Sequence, residues 1–189
     1  MKKLLLIMFS VIALISTSAC HLKGNSSNVE EVITNQLPNL SKEKTDKSFE
    51  VKKILKVHKD FAFVLSKTDN ILFVDLKKKG NSWEVEGVSG GINIEDLNVN
   101  KDGISLNVNS SNDKVLYGLY NNSLINQVNY KPLNLDAEVI NLPDLKNNKS
   151  TYKNLKLWYL VAPENDKLTL DELNNVTFKE EDKTLKPYK

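Results

Sequence analysis

Gly87-Val88-Ser89-Gly90-Gly91 satisfies G-x-S-x-G, the spacing that lifts a serine onto a strand-to-helix elbow for nucleophilic attack. Such a serine needs a helix behind it and a histidine later in the chain to take its proton. The only histidines are His21 and His58, and both precede Ser89. The run is therefore read as a glycine-rich link between strands. Asn98-Val99-Asn100-Lys101-Asp102-Gly103 has the front of a calcium-binding loop. Its first ligand position holds Asn98 rather than Asp, and Asn109 stands where a bidentate Glu is required. The flanks read as strands, so a hairpin turn is expected there. Zinc needs clustered Cys and His. A single cysteine, Cys20, and two scattered histidines do not supply that cluster, and no phosphate-binding G-x-x-x-x-G-K-[ST] run occurs.

Paired carboxylates do occur. Glu84 and Glu86 share one strand face beside Trp83, an arrangement that glycosidic chemistry uses. Their simpler reading is the solvent face of an amphipathic strand, with Trp83 and Val85 turned inward. Lys77-Lys78-Lys79 before Gly80 reads as a solvated hairpin end, and His58 as a turn residue. Aromatic side chains are the remaining candidates for recognition. Trp158 and Tyr159 are neighbours, so one points to each face of their strand, and Tyr117 and Tyr120 also fall on opposite faces. An exposed patch drawn from Trp158, Tyr159 and Tyr120 is the expected binding surface.

These residues need elements to hold them. Val29, Val32, Ile33 and Leu37 recur at helical spacing behind the capping signal Ser27-Asn28-Val29-Glu30, and Pro38 ends the helix. From Phe49 the period changes to two. Strands are predicted at 51–57, 60–66, 71–76 and 83–88, forming an antiparallel meander. Phe61, Phe63 and Leu65 fall on one face of the second strand and Ala62 and Val64 on the other, which marks a central strand. Gly87 to Gly91 is expected to break this set. Pairs are then predicted between 97–99 and 104–108, between 115–120 and 124–130, and between 137–142 and 155–161. A long polar loop spans 143–154, and a helical turn from Thr169 precedes a strand at 176–179. The fold class is mainly β: antiparallel sheets or a sandwich of roughly nine short strands with a short N-terminal amphipathic helix. Residues 28–189 are read as one domain, with a split near 89–92 as the alternative.

The first twenty residues carry a different message. Met1, Lys2 and Lys3 precede an apolar run from Leu4 to Ile15, and Ser16-Thr17-Ser18-Ala19 leads to Cys20. Positive start, apolar centre and small residues before a cut are the order of an export signal. The run is too short to span a bilayer, which takes about 20 apolar residues. Ser16-Thr17-Ser18-Ala19-Cys20 resembles the lipobox of bacterial lipoproteins, with Thr17 where Leu is usual. The chain as a whole resembles, in style, the small lipoproteins of low-GC Gram-positive bacteria. The resemblance implies that residues 1–19 are removed and that the thiol of Cys20 carries a diacylglyceryl group. Residues 20–27 would form a flexible tether, and the domain would sit on the extracytoplasmic face of the cell membrane. Two acyl chains hold a protein stably where one does so only marginally.

Removing residues 1–19 takes away Lys2 and Lys3 and no acid, so the formal charge falls from +2 to zero. A neutral chain without a clustered basic face does not fit nucleic acid. There is no arginine, so bidentate clamps on phosphate or carboxylate are unavailable to it. With its one cysteine committed to lipid, the domain has no disulfide and must be stable by packing. No cofactor is expected beyond the covalent lipid on Cys20. The expected partners are the membrane, through the anchor, and a protein or other cell-envelope component. The leading expectation of function is a non-catalytic binding module rather than an enzyme. An inhibitor or immunity lipoprotein presenting loop 143–154 comes second. An enzyme of unrecognised type, with Glu84, Glu86 or Asp96 converging in a cleft, comes third.

Overall fold

The computed structural model describes residues 28–41, 47–105, 108–146, 151–181 and 183–186; the expected signal segment 1–19, Cys20 and the expected tether 20–27 lie outside the described residues. Helix α1 spans Val29–Gln36, and the Asn28 side chain caps it by accepting the Glu30 N–H at 3.0 Å. Glu30 and Glu31 in its first turn complement the positive end of the helix. Pro38 lies in the 3-10 turn Leu37–Leu40 that follows. No helix among the described residues is long and apolar enough to cross a membrane.

The chain then folds into antiparallel sheets. The first is a meander of β1 (Val51–Val57), β2 (Phe61–Ser66), β3 (Ile71–Lys79) and β4 (Ser82–Ile92), in that order. The turns at Asp69 and Gly80 have positive φ of 61° each, which suits Asp-Asn and Gly-Asn turn chemistry. After β4 come β5 (Asn109–Ser111), β6 (Val115–Tyr120), β7 (Ile125–Tyr130), β8 (Leu135–Asp136) and β9 (Glu138–Asn141). A small hairpin, β10 (Leu145–Lys146) with β11 (Thr151–Tyr152), precedes β12 (Lys156–Val161), β13 (Val176–Glu180) and β14 (Lys183–Leu185). The second sheet has the order β5-β6-β12-β9 and the third β14-β13-β7-β8.

Burial stacks these sheets in layers. Val32, Ile33 and Leu37 of the helical segment cover Ala62, Val64 and Val74 on the outer face of the first sheet. Phe61, Phe63, Leu65 and Phe73 on its inner face pack against Tyr117, Leu157 and Tyr159 of the second. The far face of the second sheet, with Leu116, Trp158 and Leu160, packs against Val128, Val176 and Phe178 of the third. The molecule is thus helix, sheet, sheet, sheet, and the second sheet is covered on both faces. All six residues of β6 are buried, as are all six of β2.

Several expectations are corrected. The segments 115–120 and 124–130 do not pair with each other. β6 pairs with β5 and β12, and β7 pairs with β8 and β13, because the chain crosses between layers at residues 121–124. The hairpin around Asp102-Gly103 keeps its turn, where Gly103 has φ 74°, and among the described residues its arms are paired by the isolated bridge Val99–Ser105. Gly87 to Gly91 does not break the first sheet, since β4 runs through it to Ile92. Its register against β3 shifts twice, leaving Glu86 and Ser89 as extra residues, so the glycines serve bulges in one long bent strand. One buried cluster joins Phe63 and Phe73, before residues 89–92, with Tyr117 and Tyr159 after them.

Candidate functional site

Trp158, Tyr159 and Tyr120 do not form a surface. They are 0%, 1% and 2% exposed. Trp158 and Tyr159 do point to opposite faces, as their adjacency requires, but β12 is an inner strand with a sheet on each side, so both faces are core. Glu84 and Glu86 lie on the solvent side in ion pairs with Lys79 and Lys77, the latter at 2.7 Å. Asp96 accepts a hydrogen bond from Asn93 at 2.8 Å in a 3-10 turn. These three carboxylates do not converge in one cleft. Ser89 is exposed on β4.

What the topology does bring together is one end of the gap between the first and second sheets. The β1–β2 connection is tight there, with the His58 N–H donating to the Phe61 carbonyl at 2.8 Å. That turn lays the His58 ring on the ring of Phe61, with centroids 4.6 Å apart and planes 17° from parallel. The stacking continues inward. Phe61 lies 4.8 Å from Phe73 at 20°, and Phe73 lies 5.4 Å from Tyr117 at 15°. Four near-parallel rings, from two sheets and a turn, thus form a column with His58 at its outer end. Offset ring pairs of this kind add about 0.5–1.5 kcal/mol each beyond the area they bury.

The facing wall comes from the β5–β6 turn and the end of β12. Asn112 and Asp113 take left-handed φ of 54° and 50°, the conformation that tight hairpins ask of Asn and Asp. The next residue, Lys114, fastens the wall. Its Nζ donates to the carbonyls of Glu164 and Asp166, at 2.7 Å each, and its own carbonyl accepts the Ala162 N–H at 2.7 Å. Between the wall and the ring column lies a cavity of about 520 Å³. Phe61 and Phe73 border it on one side and Val115, Val161 and Ala162 on the other, with Lys59, Asp60 and Glu164 at the rim. A shallower hollow of about 390 Å³ adjoins it and shares Asp60 and Asn112. Asp75 and Glu86 border that hollow, and Asp75 accepts a hydrogen bond from Asn112 at 3.0 Å.

The electrostatics near the ring column follow from burial. Burial raises the Tyr117 hydroxyl to about pKa 12, with Asp75 adding to the effect and Ser111 opposing it. Tyr159 is raised too, by burial first and then by the neighbouring Glu138 carboxylate. Glu138 itself is lowered, chiefly by its hydrogen bond from Lys56 at 2.8 Å. These hydroxyls stay protonated and neutral throughout the physiological range. His58 Nδ1 is buried and has no hydrogen-bond partner among the described residues. No group of three or more His, Cys, Asp or Glu among the described residues is placed to hold a metal ion.

Sequence reading missed this site because its residues come from four separated segments. A turn histidine three residues before a phenylalanine carries no signal that the two rings will stack. Comparison with protein-family models, with curated proteins and with solved structures finds no match to the chain.

Proposed function

We propose that this chain is a lipoprotein held on the extracytoplasmic face of the cell membrane through Cys20, and that it acts as a non-catalytic binding module for a small ligand. The observation that carries the binding reading is the cavity of about 520 Å³ between the first two sheets. Ligand sites are concave, largely apolar and preformed, with volumes of about 300–1,000 Å³ and a few polar groups at the edge. This cavity has that character: a ring column on one side, aliphatic side chains on the other, and charges at the rim. Its walls are fixed by backbone hydrogen bonds and by Lys114. The anchor rests on the signal-like first nineteen residues and the lipobox-like approach to Cys20.

Two measurements test the two parts. Replacing Cys20→Ala in cells should abolish acyl labelling and move the protein from the membrane fraction to the soluble one. If the variant stays membrane-bound, the anchor is elsewhere. For the binding part, the purified protein is titrated with a panel of ring-bearing small molecules while methyl resonances are followed. Shifts are expected at Val115, Val161 and Ala162, and Phe61→Leu should weaken them. A panel that leaves all three unperturbed overturns the cavity as the site.

The inhibitor reading receives less support. Leu145 is fully buried, Lys146 N–H donates to Asp69 at 3.2 Å and the Tyr152 hydroxyl donates to the Leu97 carbonyl at 3.3 Å, so both arms of loop 143–154 are tied to the rest of the fold. Residues 147–150 of that loop lie outside the described residues.

A further inference from the structure

The charges at the cavity are unequal in what they have left to offer. Lys114 borders the cavity and keeps its charge, but its N–H donors are taken by backbone carbonyls of the 163–166 segment. The Asn112 amide is spent on Asp75, and Glu86 is neutralised by Lys77. Among the described residues, three charged side chains at the rim make no hydrogen bond or ion pair: Lys59, Asp60 and Glu164. Two of these are acids. Asp60 borders both hollows. His58 Nδ1 adds an unpartnered buried nitrogen on the same side.

The rim is therefore rich in acceptors and poor in donors. An anionic ligand would find free N–H donors on Lys59 alone and would face two carboxylates that no donor on the chain satisfies, and like charges disfavour a partner as surely as opposite charges favour it. A ligand with N–H donors and a positive charge satisfies both carboxylates while its apolar body fills the space beside Phe61, Phe73 and Val161. We infer that the cavity selects a small primary organic ammonium with an apolar or aromatic body, its charge held between Asp60 and Glu164. This inference rests on the cavity being the binding site, and its test separates the two claims.

Three probes of nearly equal size and differing charge serve: 3-phenylpropylamine, 3-phenylpropanol and 3-phenylpropionate. Each is titrated into the purified protein at neutral pH and low salt, with methyl shifts at Val115 and Val161 reporting occupancy. The amine is expected to bind about tenfold or more tightly than the carboxylate, with the alcohol between them. Added salt should narrow that gap by screening the exposed rim. The double variant Asp60→Asn, Glu164→Gln touches only exposed side chains. It should bring the affinity of the amine close to that of the alcohol. If all three probes bind alike, or the carboxylate binds best, the ammonium preference is overturned and the cavity stands. If the amine keeps its advantage in the double variant, Asp60 and Glu164 are not its holders and the inference fails. If no probe binds, the cavity reading falls and takes this one with it.

Discussion

Gly90 has no side chain because Tyr117 already fills the space in front of it. A β-carbon there would stand 2.6 Å from the Tyr117 hydroxyl oxygen and 3.1 Å from Ser111 Oγ. Both groups are buried where β4 meets β5, so neither has room to withdraw easily. Overpacking of this kind costs about 1–3 kcal/mol, and Gly90→Ala should destabilise by that much in urea unfolding. Tyr117→Phe removes the clashing oxygen and leaves the nearest ring carbon 3.9 Å away. In that background Gly90→Ala should cost less than about 1 kcal/mol, so the double-mutant cycle should show favourable coupling between the two substitutions. Additive losses would show that the hydroxyl is not what excludes the methyl group. Gly91 supplies the contrast. Its β-carbon would stand 2.4 Å from the Ile71 carbonyl oxygen, and backbone cannot turn aside. Gly91→Ala should therefore be at least as damaging and gain nothing from Tyr117→Phe. Close packing of a bent strand against its neighbours thus accounts for Gly90 and Gly91, while a β-carbon at Gly87 would meet open space. Sequence could reject the nucleophile, because no histidine follows Ser89, but it could not see Tyr117 arriving from 27 residues away.

Where an element has one wet face, its pattern is plain in the residues. Helix α1 shows this, with Val32 and Ile33 buried and Glu30, Glu31 and Thr34 outward, and its position and cap read directly from the chain. So does the β3–β4 hairpin, whose exposed lysines gather at the tip. Pairing is another matter. β2, β6 and β12 are apolar on both faces, and a strand buried on both sides carries no alternation to say which sheet it joins or in what register. That is why 115–120 was expected to pair with 124–130 across a short turn, when β6 pairs instead with a strand some forty residues further on. The same two-sided burial hid the fate of Trp158 and Tyr159. Gly118 sits directly opposite Trp158 in the ladder and leaves room for the indole, whose atoms would be 3.0 Å from a β-carbon at that position. The helix is the element whose contribution is most easily isolated. Ile33 is fully buried against the outer face of the first sheet. Ile33→Ala should cost about 2–5 kcal/mol by leaving a cavity over Ala62, Val64 and Val74. Thr34→Ala, on the exposed side one residue on, should change stability by less than about 0.5 kcal/mol. Equal effects from the two would mean that α1 does not dock as described.

Three stacked sheets share their middle member, and this governs how the whole molecule should come apart. The second sheet contributes Tyr117, Leu157 and Tyr159 to one core and Leu116, Trp158 and Leu160 to the other, so neither core survives its loss. No disulfide can hold one layer while another melts, because the chain has a single cysteine at position 20. The segment leading from β12 to the third sheet is also tied back to the second, through the Ser110 hydroxyl donating to the Leu168 carbonyl at 2.7 Å and the Leu168 N–H to the Asp113 carbonyl at 2.8 Å. The cavity depends on the same arrangement, since one of its walls belongs to the first sheet and the other to the second. Two tryptophans report on different depths of the stack. Trp83 is half-buried on the outer face of the first sheet, with the Lys78 ammonium 5.9 Å from its ring centre. Trp158 is fully buried between the second and third sheets. Variants with one tryptophan each, Trp83→Phe and Trp158→Phe, allow urea unfolding to be followed by fluorescence from one layer at a time. Because Trp158→Phe also removes buried contacts, each variant is referred to its own far-ultraviolet circular dichroism rather than to the other. In both, the fluorescence and dichroism midpoints should coincide, as cooperative unfolding requires. A Trp83 transition that precedes the loss of strand signal in its own variant would show that the helix and first sheet melt alone. The cavity would then lie between two separately stable units rather than within one.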